Sequence, residues 1–74
     1  MTAQPDELKK LTAIASDLGL PSELRIKSIE LLGNIGTHES LCALLELAAN
    51  EGLIAEERDL CLKYAREVIM SGRY

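Results

Sequence analysis

The chain has 74 residues, room for one domain, and a domain of this size buries only about 60% of the surface that its unfolded chain exposes. Its 47% hydrophobic content is ordinary for a globular protein, but Trp and Phe are absent, so the core must be built from Leu, Ile, Ala and Val. A net charge of −4 without a basic cluster argues against nucleic acid as a partner, and no segment approaches the roughly 18 to 20 continuous apolar residues of a membrane span, so a cytoplasmic protein is expected.

Four helices are predicted in chain order. Pro5 followed by Asp6 and Glu7 opens the first, because proline suits the first turn and acids there face the positive end of the helix dipole. It is expected to run to Leu18 and stop at Gly19. Pro21 and Ser22 open a second helix, which carries Leu24, Ile29, Leu31, Leu32 and Ile35 and ends near Gly36. Thr37 is the expected N-cap of a third, presenting Leu41, Leu44, Leu45, Leu47 and Ala48 before Gly52 closes it. A fourth runs from about Ala55 to Ser71 and ends at Gly72. No strand pattern is present.

The chain also repeats itself at an interval of 33 residues. Sliding Pro5–Ile35 onto His38–Val68 superposes Leu8 on Leu41, Leu11 on Leu44, Ala15 on Ala48, Gly19 on Gly52, Leu20 on Leu53, Glu23 on Glu56 and Arg25 on Arg58. A fixed period of this size signals stacked supersecondary units that cannot bury their apolar faces alone. The fold class expected is therefore all-α, an array of two antiparallel helical hairpins over about residues 5–36 and 38–71, in one domain spanning 1–74.

At 100° of rotation per residue, the apolar arc of the first helix is narrow, whereas those of the second and fourth exceed half the circumference. The second helix has neighbours on both sides in sequence, so its wide face should be accounted for inside the domain. The fourth has a neighbour on one side only in this sequence, so its face should stay partly uncovered, and Leu60, Tyr64, Val68, Ile69 and Met70 are the candidate partner-binding residues.

The sequence offers little chemistry. Cys42 and Cys61 stand among Leu and Ala and read as small buried apolar residues. His38 reads as an exposed first-turn residue, and Glu39 and Glu46 as a solvated face. There is no glycine-rich phosphate loop, no nucleophile elbow and no His-Glu-x-x-His. No catalytic, metal or cofactor-binding residue is assigned, no cofactor is expected, and enzymatic activity is not expected.

The run SELRIKSIELLGNIGTHESLCALLELA from Ser22 to Ala48 resembles a HEAT-type repeat of the short kind found in phycobilisome-lyase-like proteins. Leu24-Arg25 resembles the pair opening the family's first helix, Ser28 its small-residue position, and Leu32-Gly33-Asn34-Ile35-Gly36 its inter-helix turn. A weaker resemblance, to ankyrin repeats, lies in Leu45–Gly52 and in the period itself. The HEAT resemblance implies an αα-superhelix in which Gly33 and Ser28 allow close helix approach. It also allows an acid–arginine ladder in which Asp17 would pair with Arg25, as Asn50 precedes Arg58, the alternative being two independently solvated side chains. By the same resemblance the first and third helices would form a concave side bearing Lys9, Lys10, Glu39, Glu46 and Asn50.

The function expected is that of a small adaptor or regulatory subunit that binds another protein. A structural homodimer completed through the fourth helix is the alternative, and an accessory subunit of a lyase-like, tetrapyrrole-handling system a second one.

Overall fold

A computed structural model of the chain describes residues 5–72. These residues form four helices and no strand: α1 (Pro5–Ser16), α2 (Ser22–Ile35), α3 (His38–Ala48) and α4 (Ala55–Ser71). The architecture is the expected all-α array of two antiparallel hairpins. The hairpins are α1–α2 and α3–α4, and they stack so that α1 lies on α3 and α2 on α4.

The 33-residue period of the sequence is a period of the backbone. Pro5 and His38 open α1 and α3, and Ser22 and Ala55 open α2 and α4, each pair 33 positions apart. The two turns inside the hairpins match bond for bond. Asp17 Oδ1 accepts from the Gly19 N–H and Asn50 Oδ1 from the Gly52 N–H, both at 2.9 Å. Leu20 N–H donates to Asp17 O and Leu53 N–H to Asn50 O, both at 3.1 Å. Each turn is thus closed by an Asx side chain that copies a backbone turn.

The short Gly36-Thr37 connection between hairpins is made differently. Gly36 ends α2 in the left-handed region at φ 66°, which costs glycine little, and its N–H bonds back to Leu32 O. Thr37 caps α3, its hydroxyl accepting from Ser40 N–H, and the Ser40 hydroxyl returns a bond of 2.9 Å to Thr37 O. One boundary moves. α1 ends at Ser16 rather than Leu18, because the Asp17 carboxylate takes the Gly19 N–H and starts the turn; Leu18 is left exposed.

The core is one cluster in which leucines of both repeats meet. Leu8, Ala15, Ile29, Leu32, Leu41, Leu44, Leu47, Leu53, Cys61, Ala65 and Val68 are all buried. At roughly 1.5–3 kcal/mol for each large side chain fully withdrawn from water, this cluster supplies the main driving force for folding.

The wide face of α2 is not wholly enclosed, contrary to expectation. Leu24 and Leu31 are 50% and 43% exposed. They occupy the positions that Glu57 and Tyr64 hold in the second repeat, where α4 lies against α2; among the described residues no helix lies against α2 from that side.

Candidate functional site

Two surfaces and one buried cluster carry the polar groups of interest. The cluster joins α2 to α4. Arg25 Nε donates to Glu57 Oε1 and Arg25 Nη2 to Glu57 Oε2, each at 2.9 Å, in a bidentate ion pair whose two residues are 8% and 1% exposed. Further bonds complete the cluster: Arg25 Nη1 donates to Leu20 O at 2.6 Å, and the Ser22 hydroxyl to Glu57 Oε2 at 2.9 Å. The Arg25 hydrogen bonds hold the Glu57 carboxyl below its ordinary pKa despite burial, with Ser22 adding to the effect.

This geometry departs from both readings of Asp17 and Arg25, a mutual pair and two independently solvated side chains. Asp17 spends its carboxylate on its own turn, and Arg25 turns to a residue 32 positions away. About two helical turns further along the same contact, Tyr64 rests on Gly33. A Cβ at position 33 would stand 2.5 Å from Tyr64 Cδ1, so the absence of a side chain there is what lets the aromatic ring seat. Because Arg25 meets Glu57 and Gly33 meets Tyr64, α2 and α4 run in the same direction.

The first surface is the outer face of α4. Leu62, Ile69 and Met70 are 51%, 46% and 75% exposed and fall on one side of the helix. Of the five residues assigned to a partner face from sequence, Ile69 and Met70 stand there. Leu60 and Tyr64 are half-buried against the core, and Val68 is buried at 1%. Val68 is therefore corrected from a surface to a core residue: it follows Cys61 by seven positions and Ala65 by three, on the side that α2 and α3 cover. Leu62 belongs to the exposed face in its place.

Arg58, the repeat of Arg25, borders the same face. Its Nε is shut off from water and has no hydrogen-bond partner among the described residues. The two arginines hold the same register on their helices and differ in the neighbour packed against each, which the local sequence does not disclose.

The second surface is a groove of about 560 Å³ between α1 and α3. It brings together Lys9, Glu39 and Glu46 from the polar face expected on these helices, and adds Thr12, Ser16, His38 and Cys42. Asn50 is instead engaged in the turn after α3. Cys42 is exposed, correcting its reading as a core residue; it follows Leu41 by one position and so turns about 100° off the buried stripe. Its Sγ lies 3.7 Å from His38 Nε2, one helical turn back. Cys61 is buried as expected, and burial, reinforced by the charge of Glu57, pushes its thiol up to about 11.

No group of three or more His, Cys, Asp or Glu side chains that could hold a metal ion is present among the described residues. None of their helices is long and apolar enough to cross a membrane. Comparison of the chain with protein-family models, with curated proteins and with solved structures gives no match.

Proposed function

We propose that this chain is a non-enzymatic, HEAT-like protein–protein interaction module that docks its partner on the open face of α4. The observation that carries the reading is the exposed band of Leu62, Ile69 and Met70 on a helix whose opposite side is held rigidly by the core. A small domain gains nothing in its own stability from three large apolar side chains left in water, whereas a partner that covers them gains their burial. The stacked hairpins support the same reading, because each unit in such an array presents a helix face to its next neighbour. A cytoplasmic setting belongs to this proposal and is supported by two free thiols, one of them exposed.

The test is recovery of partners from the native cell with tagged protein, comparing the natural chain with Leu62→Asp/Ile69→Asp. The expected result is a partner retained by the first and lost by the second, with the melting temperatures of the two within a few degrees. Retention of the same partner by both chains would contradict the proposal.

A further inference from the structure

The contact between α2 and α4 is a template for a helix laid against the open side of α4. Moving along the array by 33 residues carries the contacted face of α2, with Arg25, Ile29 and Gly33, onto Arg58, Leu62 and Arg66 of α4. On α2 that face is satisfied from within the chain, the guanidinium by a carboxylate and the glycine by a tyrosine ring. On α4 it is open. Leu62 is half exposed, Arg66 is exposed and in no ion pair among the described residues, and Arg58 is part-buried at the edge, its Nε enclosed by the chain itself without a hydrogen-bond partner, so that a new contact falls to the rest of its guanidinium.

We propose that this face takes a helix from outside these 74 residues, one that carries two carboxylates seven residues apart with apolar side chains between them, the first on Arg58 and the second on Arg66. The inference rests on the reading of α4 as a docking face and adds the chemistry of its occupant. The spacing comes from the template, in which Glu57 and Tyr64, seven apart, sit on Arg25 and Gly33, eight apart. The second acid comes from the change of Gly33 to Arg66, which removes the space for a ring and supplies a cation instead.

A second copy of this chain does not fit. Stacked by the same translation, it would bring Leu24 to Arg58 and Leu31 to Arg66, leaving both guanidinium groups without a carboxylate. Paired about a twofold axis at Leu62, each copy would set its Arg58 against Arg66 of the other, like charge against like.

The probe is a side-chain-stapled helical peptide of 18 residues with Glu at two positions seven apart, Leu and Ile on the same face, and a twin with Gln for both Glu. Fluorescence anisotropy on the full chain should give binding at least about tenfold tighter for the Glu peptide, a ratio that falls severalfold in Arg58→Met and to near one in Arg58→Met/Arg66→Met. Melting supplies a second readout. Arg58→Met should melt within about 2 °C of the natural chain or above it, while Arg25→Met melts more than about 10 °C lower.

Equal binding of the two peptides would overturn the acidic partner while leaving α4 a docking face, as would an Arg58→Met chain that melts as low as Arg25→Met. Binding of neither peptide at 100 µM, or self-association in sedimentation that Leu62→Asp abolishes, would also overturn it. The partner-recovery experiment with Leu62→Asp/Ile69→Asp judges the docking face separately.

Discussion

The same arginine appears twice in this molecule with opposite fates. Arg25 is clamped by Glu57 and the Leu20 carbonyl, with Ser22 bracing the carboxylate, and α2 is locked to α4 through it. Arg58 opens α4 in the same register, and its Nε has no partner among the described residues. The backbone around the two is alike to the level of individual turn hydrogen bonds, so the difference comes from the neighbour and not from the local fold. In a stacked array, a residue's role is set by the adjoining unit: one side chain is a structural bolt where a unit covers it and, on the proposal above, serves recognition where none does.

Breaking the satisfied half should have the largest effect. Glu57→Ala leaves the enclosed Arg25 guanidinium without its counter-charge, and the expected result is the largest fall in urea midpoint among these substitutions. The same pair sets an acid limit. Since the folded-state pKa of Glu57 lies below its unfolded value, the pair's contribution is present above the ordinary glutamate range and disappears as pH falls through the lowered folded value. Stability should therefore drop on acidification, and Glu57→Gln should flatten that part of the pH profile of the melting temperature.

Gly33→Ala probes the seat of Tyr64. Alanine favours the helix by about 1 kcal/mol over glycine, but overpacking against the ring costs about 1–3 kcal/mol, so a net loss is expected. Combining it with Tyr64→Leu should restore part of that loss. Asp17→Ala and Asn50→Ala each remove one turn bond and should cost about 1 kcal/mol apiece, nearly equal because the turns are equivalent. The smallest effects on stability belong to the open half, where Leu62→Asp should stay within about 0.5 kcal/mol of the natural chain. Thiol titration gives an independent check of the packing: Cys42 should react promptly with an aromatic disulfide reagent, and Cys61 only on unfolding.

Much of this fold can be read from local signals. Thr37, Gly36 and Gly72 mark helix ends through capping chemistry that needs no tertiary partner, and each does so in the structure. The repeat is visible because both units solve the same packing problem with the same leucines. The sequence misleads where a residue's environment is decided at long range. Arg25 takes its acid from 32 positions away in preference to Asp17, which the turn consumes, and the run Glu56-Glu57-Arg58 looks like an ordinary charged helix start. Val68 and Leu62 differ in burial by which neighbour each faces, a distinction that an apolar arc cannot make. Cys42 and Cys61 look alike in composition and part company for the same reason.

The claim that the Arg25–Glu57 pair joins the hairpins is tested most directly by a double-mutant cycle over Arg25→Met and Glu57→Met in urea. Each single change should lower the urea midpoint clearly, and the double variant should recover most of that loss, giving a favourable coupling between the two side chains. Losses that simply add would mean that the two side chains act separately and that the hairpins are held together by the leucine core alone.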